Sequence, residues 1–283
     1  MINSMTLKAF IRKKSSEWKV PAQIVLQYFF FERFLVRLDK SPYRPMFVLK
    51  GGFLISSLAG IAARTTMDLD MTIRGFSLDV GTLGPILGEI VQIDAEDGIE
   101  FRFVSSEEIR ETDEYPGIRA KLEGTFGSIR VSFKLDLTTG DAMTPGPILF
   151  SHPMLSEEKS IQLFSYNLET VLAEKMETIL SRNVLNTRPR DFYDVFLLGR
   201  LFWSQIDFGR LREALDATSW KRGSREMLKD YPKIMESIGK DEHQNSYWEK
   251  FRSQFPFAGD LSFHDVHRSV NEMLERVFDI DAE

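Results

Sequence analysis

The feature that most constrains the fold is a stretch over residues 47–71, which reads FVLKGGFLISSLAGIAARTTMDLDM. Its first three residues form a short apolar run, which is typical of a buried strand. Gly51 and Gly52 follow, and a glycine pair lets the backbone turn tightly and come close to a ligand. Residues 53–59 are apolar enough for a short buried helix. The stretch therefore predicts a strand, a tight turn and a helix that begins at that turn.

The end of this stretch places two carboxylates side by side. Because side chains alternate along a strand, Asp68 and Asp70 would share one face, opposite the apolar side chains. Two carboxylates in a segment suited to burial are costly unless a cation neutralises them. Mg²⁺ prefers such hard oxygen ligands. The alternative is a solvated strand end or a loop cap, and the nearby glycine turn favours the metal site.

A third carboxylate stands on a later predicted strand, residues 129–137, where alternation puts Lys134 and Asp136 on one face. If this strand lies beside the Asp-x-Asp strand, Asp136 would complete a cluster of three carboxylates. Such a cluster can hold two Mg²⁺ ions for an in-line displacement at phosphorus. The alternative is that Asp136 forms an ion pair with Lys134 or Lys50, or caps its strand.

The second half of the chain carries a lysine and two aspartates at helical spacing. Asn167 predicts the start of a helix that contains Lys175, close to its buried stripe. A lysine there either extends out to water or points into a cleft. Pro189 suits the first turn of a further helix, on which Asp191 and Asp194 share a face. The alternatives are a solvated Lys175 and an Asp191 favoured only by the helix dipole.

Composition excludes several classes of protein. Lysine and arginine number 36 against 42 aspartates and glutamates, a net charge of −6, so a nucleic-acid partner must be held by a local basic patch. Cysteine is absent, which excludes disulfides and thiolate metal sites. The N-terminal residues lack a continuous apolar core, and charges interrupt residues 24–38. The chain therefore predicts no signal peptide, no membrane span and a cytoplasmic location.

The remaining pattern predicts a sheet followed by helices. Helices are predicted over residues 5–39 (two of them) and 78–93, strands over 99–104, 117–125, 148–152 and 161–164, a charged loop over 105–116, and helical stretches from 201 to the end. Trp203, Trp220 and Trp248 are predicted to lie in the core. A domain boundary is predicted near residue 160.

Several of these segments resemble a known family. The order of strand, Gly-Gly turn, short helix and Asp-x-Asp strand is similar to that of the nucleotidyltransferase superfamily. More closely, LKGG at 49–52 and RTTMDLD at 64–70 resemble the AbiEii/AbiGii nucleotidyltransferase toxins. The turn DLTTGD at 136–141 resembles their third motif. Lys175 followed by NTRPRDFYD at 186–194 resembles their last motif, with Arg where the family often has Lys at position 190.

The resemblance implies an α/β (α+β) fold: a nucleotidyltransferase-like mixed sheet flanked by helices, followed by a helical C-terminal domain. Residues 1–160 would form the nucleotidyltransferase domain with its N-terminal helices, and residues 161–283 a helical domain that completes the active-site cleft. The implied catalytic residues are Asp68, Asp70, Lys175 and Asp191; the nucleotide-binding residues Lys50, Gly51, Gly52, Arg64, Thr66 and Arg188; and the metal ligands Asp68, Asp70 and Asp136.

The implied activity is the Mg²⁺-dependent transfer of a nucleoside monophosphate from an NTP to an acceptor, with release of pyrophosphate. Family members act as toxins of toxin–antitoxin pairs in phage defence, which implies a cognate antitoxin and a tRNA 3′ end or other RNA as acceptor. Three alternatives stay open at this point. They are a catalytically silent nucleotide-binding regulator, transfer to a protein acceptor, and a structural protein whose Asp-x-Asp is a surface cap.

Overall fold

A computed structural model describes residues 4–109 and 117–279. Its backbone packing divides the chain into two compact units, residues 1–140 with 148–165 and residues 141–147 with 166–283. The division falls after residue 165 rather than near 160, because residues 160–165 form a strand of the first unit's sheet.

The first unit contains four helices and seven strands among its described residues. The helices are α1 (Ser4–Trp18), α2 (Ala22–Lys40), α3 (Gly51–Ala59) and α4 (Val80–Gln92), with a 3-10 turn at Arg44–Met46. The strands are β1 (Phe47–Lys50), β2 (Asp68–Ile73), β3 (Glu100–Ile109), β4 (Gly117–Phe126), β5 (Ile129–Thr139), β6 (Ile148–Pro153) and β7 (Ser160–Ser165).

The strands form one mixed sheet in the order β3-β4-β5-β2-β1-β7-β6. β2 pairs in parallel with β5, and β1 in parallel with β7, whereas the other neighbours are antiparallel. Residues 105–109, which their charge predicts as loop, instead continue β3 along its partner β4. A hydrophilic edge segment can form a strand because the pairing satisfies its backbone groups. The rest of that predicted loop lies outside the described residues.

The core of the first unit lies between α2 and one face of the sheet. Phe31 and Phe34 of α2 pack edge-on against Phe133 of β5, with ring centroids 5.3 and 6.0 Å apart. Such aromatic pairs each add about 0.5–1.5 kcal/mol beyond the area that they bury. Because β5 alternates, burying Phe133 turns Lys134 and Asp136 to the opposite face of the sheet.

The second unit is helical throughout its regular structure. Its helices are α5 (Leu168–Arg182), α6 (Pro189–Phe202), α7 (Phe208–Lys221), α8 (Tyr231–Lys240), α9 (Glu242–Gln254) and α10 (Phe263–Phe278), joined through 3-10 turns at Asn183–Leu185, Trp203–Gln205, Arg225–Asp230 and Pro256–Ala258. Trp248 is fully buried, as predicted. The prediction is wrong for Trp203 and Trp220, which are 42% and 69% exposed because they stand where helices end.

The mixed sheet, its flanking helices and the helical second unit confirm the predicted fold class. In the two described segments of the chain, every helix is too short or too polar to cross a membrane.

Candidate active site

The predicted glycine turn joins β1 directly to α3. Gly51 has a φ of +66°, a left-handed conformation that L side chains rarely adopt. A Cβ atom on Gly51 would lie only 2.8 Å from Cγ of Asp70. A Cβ on Gly52 would lie 2.9 Å from Oγ1 of Thr66. Both glycines are therefore required by the close approach of the segment that enters and forms β2.

Asp70 is the carboxylate that faces this turn. Its Oδ2 accepts a long hydrogen bond of 3.4 Å from the backbone N–H of Gly52. Burial raises the pKa of Asp70, the negative charge of Asp136 raises it further, and Lys50 opposes the rise. The raised pKa means that the surrounding protein does not fully compensate the charge of this carboxylate. The side chain therefore favours an additional cation beside it.

A row of four charged residues crosses the sheet at this level. Lys50, Asp70, Asp136 and Arg119 stand opposite one another on the neighbouring strands β1, β2, β5 and β4. Residues directly opposite on adjacent strands have side chains on the same face, within reach of each other. The row therefore reads cation, carboxylate, carboxylate, cation, and it places the predicted Asp136 next to Asp70.

Arg119 holds Asp136 in a two-pronged ion pair, with Nε and Nη2 donating to the two carboxylate oxygens at 2.7 and 2.6 Å. This fork geometry is the strong form of an arginine–carboxylate contact. Arg119 rather than Lys134 is thus the partner that Asp136 shows here, and it is a site residue that the sequence-based prediction missed. The hairpin turn could have revealed it, because pairing Phe126 with Ile129 brings Arg119 opposite Asp136 by counting.

The donor set near the turn fits a magnesium ion shared with a substrate. Asp68 and Asp70 present carboxylate oxygens on the same face of β2. Among the described residues, no three His, Cys, Asp or Glu side chains come together as a closed metal site. Magnesium is commonly held by one or two carboxylates together with substrate phosphates, so two aspartates suffice for such a site. Whether Asp136 joins them stays a prediction.

Thr66 and Arg64 support the entry to β2. The backbone N–H of Asp68 donates to Oγ1 of Thr66 at 3.3 Å, which fixes the start of the strand. Arg64 is 2% exposed, and its guanidinium donates to the backbone carbonyl of Thr65. The backbone carbonyl of Arg64 accepts a hydrogen bond of 2.5 Å from the Ser56 hydroxyl of α3. These contacts tie α3 to β2, and nucleotide binding by Thr66 and Arg64 stays a prediction.

Lys50 also reaches across the sheet. Its Nζ donates to Oγ1 of Thr138 on β5 at 2.7 Å, so this cation lies at the level of the carboxylates. Its positive charge opposes the rise in the pKa of Asp70. Lys50 is thus a local counter-charge in this structure, and its contact with a nucleotide stays a prediction.

In the second unit, Lys175 lies between two aspartates of the next helix. Its Nζ is 2.6 Å from Oδ1 of Asp191 and 3.1 Å from Oδ2 of Asp194. The lysine side chain is only 19% exposed, so it is not a solvated surface lysine. Oδ2 of Asp191 is buried and accepts no hydrogen bond within the described part of the chain. An unsatisfied buried oxygen is costly, and a bound donor would complete its hydrogen bonding.

Arg188 stands at the entry to the helix that carries these aspartates. The residue is exposed and precedes Pro189, the first residue of α6. Its backbone N–H donates to Oδ1 of Asn186 at 2.9 Å, and its carbonyl accepts from the N–H of Asp191 at 3.1 Å. These bonds fix the first turn of α6 and hence the position of Asp191.

The predicted residues thus fall into two groups. The first unit brings together Lys50, Gly51, Gly52, Arg64, Thr66, Asp68, Asp70 and Asp136. The second unit brings together Lys175, Asp191 and Arg188. A comparison with protein families decides what these groups belong to. A family model described as the nucleotidyl transferase AbiEii toxin of type IV toxin–antitoxin systems matches residues 33–276, which is most of the chain.

The chain belongs to the AbiEii nucleotidyltransferase toxin family. It is therefore a nucleotidyltransferase, and the resemblance inferred from the sequence motifs is confirmed. Membership implies an NTP substrate and an antitoxin partner. A search of curated proteins finds no match.

The comparison with solved structures bears on the fold alone. A protein from H. pylori with a provisional description as a nucleotidyltransferase is 15% identical, with a TM-score of 0.50 over 90% of this chain and 94% of that chain. JHP933 from Helicobacter pylori is 16% identical, with a TM-score of 0.47 over 89% of this chain and 90% of that chain. At such low identity, the first of these likenesses supports a nucleotidyltransferase-like fold and nothing finer.

Proposed function

We propose that this AbiEii protein transfers a nucleoside monophosphate from an NTP to an RNA 3′ end, with tRNA as the expected acceptor, in a Mg²⁺-dependent reaction. The observation that carries the proposal is the position of Asp70, whose undercompensated carboxylate faces the Gly51–Gly52 turn, with Asp68 on the same face of β2. Carboxylates opposite a glycine turn can bind both the phosphates of an NTP and the cation that accompanies them. The turn offers backbone N–H groups to phosphates, and the aspartates offer oxygens to a cation.

In the proposed reaction, the acceptor hydroxyl oxygen forms a bond to the α-phosphorus of the NTP, and the bond to the bridging oxygen of the pyrophosphate breaks. Pyrophosphate leaves with that electron pair, and Asp68 or Asp70 receives the hydroxyl proton. A bound Mg²⁺ would neutralise phosphate charge in the site. The protein's own contribution is mostly positioning and charge compensation, as is usual for transfer at phosphorus.

Lys175, Asp191 and Arg188 are assigned to the same reaction from their match to the family's last motif. Lys175 would contact phosphate oxygens, and Asp191, 2.6 Å from its Nζ, would hold that ammonium in position. The unsatisfied Oδ2 of Asp191 supports a direct role, since it leaves one acceptor for a substrate donor. Arg188 would add a second cation for the nucleotide.

In the cell, the protein would act as the toxin of a toxin–antitoxin pair in phage defence. We place it in the cytoplasm, where NTPs, tRNA and a cognate antitoxin encoded nearby would be available. Its inhibition of growth would follow from blocking RNA 3′ ends that must be free for normal use.

The test is incubation of the protein with each labelled NTP, Mg²⁺ and total cellular RNA or protein, followed by separation of the products. We expect label on RNA from the wild-type protein and a loss of at least about 100-fold in Asp68→Asn and Asp70→Asn. Asp260→Asn is the matched control, because Asp260 is an exposed aspartate remote in sequence from both motifs. Label on protein alone would instead indicate a protein acceptor. Full activity in both aspartate variants would refute the proposed site.

A further inference from the structure

The open face of the sheet carries an unusual pair of lysines. Lys121 of β4 and Lys134 of β5 stand directly opposite each other, and both are exposed. Like charges directly opposite on neighbouring strands destabilise a sheet. Neither lysine forms an ion pair with any residue that the structure describes. The sheet thus keeps two adjacent positive charges, neither of which forms an ion pair within the described part of the chain.

These lysines lie in the same row as one of the catalytic aspartates. Asp68 of β2 is the register partner of Lys134, which is in turn the partner of Lys121. Register partners share a face, and strands lie about 4.8 Å apart, so the row leads away from Asp68 in steps of about 5 Å.

The positive charge continues along the same face. Arg102 of β3 and Arg130 of β5 are 66% and 68% exposed. Both lie near one carboxylate, that of Glu123, at 2.9 and 3.8 Å. Glu123 is two residues from Lys121, and Arg130 is four residues from Lys134, so alternation keeps all of them on one face. Glu100, the register partner of Thr125, lies on the same face, so the two arginines stand near two carboxylates, whereas Lys121 and Lys134 have no ion pair among the described residues.

The strand order places this surface on a definite side of the aspartates. The strands lie in the order β4-β5-β2-β1 across the sheet. The lysines stand on β5 and β4, on one side of Asp68, whereas the Gly51–Gly52 turn follows β1 on the other side. In an in-line displacement, the attacking oxygen and the leaving pyrophosphate lie on opposite sides of the phosphorus. If the glycine turn holds the triphosphate, the acceptor must therefore approach from the side of the lysines.

We infer that the surface formed by Arg102, Lys121, Arg130 and Lys134, here called the lysine face, binds the phosphodiester backbone of the RNA acceptor next to its 3′ end. The inference rests on the proposed transfer to RNA and adds where this chain holds that substrate. Lysines and arginines that follow an open surface suit a single strand whose charge is repeated at every nucleotide.

The test compares Lys121→Gln/Lys134→Gln with Lys8→Gln/Lys13→Gln. The control lysines are exposed on α1, which packs on α2, and α2 covers the other face of the sheet. Binding of a fluorescent single-stranded RNA is followed by anisotropy at several salt concentrations, and KM is measured separately for RNA and NTP. Equal melting temperatures for the variants and the wild type show that each is folded.

For Lys121→Gln/Lys134→Gln we expect RNA affinity to fall about 10-fold at low salt, with the KM for RNA rising and the KM for NTP unchanged. The slope of log affinity against log salt should fall in magnitude by about 1.4, since each phosphate contact on single strands contributes about 0.7. The control variant should retain wild-type values. Restoring charge with Lys121→Arg/Lys134→Arg should recover binding.

Two results would overturn the inference while leaving the proposed function intact. One is RNA labelled by the wild type and equally well, with an unchanged KM for RNA, by the glutamine variant. The other is a KM that rises for NTP alone, which would assign the lysines to the triphosphate. Absence of any label on RNA from the wild-type protein would instead refute the proposed function itself.

Discussion

At the scale of single residues, the site depends on how closely Gly51 approaches Asp70. A methyl group at position 51 would meet both a positive φ and the Asp70 carboxylate. A left-handed conformation costs a non-glycine residue about 1–2 kcal/mol. We therefore expect Gly51→Ala to lower the melting temperature by several degrees and to reduce NMP transfer at least about 10-fold, because Asp70 must move.

Gly60 provides the control for that prediction. It also has a positive φ, of +90°, but a Cβ atom there would meet nothing within 4 Å. Gly60→Ala should therefore show the backbone strain, measured as a lower melting temperature, and keep its transfer activity. If Gly51→Ala loses stability to the same extent and remains fully active, the contact with Asp70 does not matter for the reaction.

Arg119 compensates the negative charge of Asp136, which stands opposite Asp70 in the sheet. Arg119→Met would leave Asp136 beside Asp70 without its cation. We expect unfolding by urea without divalent ions to become easier by about 1–2 kcal/mol, since the pair is only partly buried. We also expect Mg²⁺ to raise the melting temperature more than it does for the wild type, because the released carboxylate can bind the ion.

Arg102→Met is the matched change for Arg119, since Arg102 lies on the same sheet and is mostly exposed. Arg102→Met should change neither the free energy of unfolding in urea nor the rise in melting temperature with Mg²⁺ appreciably. An Arg119→Met protein with wild-type stability and an unchanged response to Mg²⁺ would show that the ion pair between Arg119 and Asp136 has no influence on the cation site.

At the scale of helices and strands, the local sequence pattern is enough to predict an element where burial and alternation agree. The alternating segment at residues 129–137 predicted β5 and the shared face of Lys134 and Asp136. Pairing between strands was harder, because Arg119 meets Asp136 only through the hairpin register. Likewise, no spacing within α5 could show that Lys175 is held by carboxylates from α6.

The composition of a segment predicts its structure poorly where contacts with distant parts of the chain decide it. Residues 105–108 are polar, yet they and Ile109 extend β3 because β4 supplies their hydrogen bonds. Trp203 and Trp220 are predicted to lie in the core, but both stand at helix ends, where burial is incomplete. Trp248, in the middle of α9, lies in the core because the turn of the helix directs it inward.

The helix that carries Lys175 depends on its first residues. Oδ1 of Asn167 accepts from the backbone N–H of Thr170 at 2.9 Å, and Nδ2 donates to the carbonyl of Thr144 at 2.8 Å. Asn167→Ala removes both bonds and should cost about 1–2 kcal/mol in urea unfolding. Asn167→Asp keeps the cap but not the donor, so its loss should be smaller. Equal losses in the two variants would show that the cap contributes nothing.

At the scale of the whole molecule, charge is distributed unevenly. The chain carries a net charge of −6, while one open face of its sheet carries Lys121 and Lys134 side by side without an ion pair to any described residue. The acidic balance opposes general binding to nucleic acid, and the lysine face allows it at one place. An uneven charge distribution of this kind favours binding of the RNA acceptor at one surface over binding at many places on the protein.

The stability of the whole molecule should also depend on pH through His267. This histidine of α10 hydrogen-bonds through Nε2 to the carbonyl of Met235 in α8, at 2.8 Å. Burial lowers the pKa of His267 despite that bond, and the nearby His264 lowers it further. Above the ordinary histidine pKa of about 6.5, neither state is protonated and the stability is at its full value. As the pH falls through that value, the unfolded chain binds the proton first, so the free energy of unfolding decreases.

We therefore expect His267→Gln to unfold with a shallower dependence on pH between 7.5 and 5.5. One proton limits the difference in slope to about 1.4 kcal/mol per pH unit. Urea unfolding at a series of pH values measures it, with His243→Gln, an exposed histidine of α9, as the control. A difference between His267→Gln and the wild type that stays constant with pH would show that the junction of α8 and α10 depends on packing at this position and not on the charge of the ring.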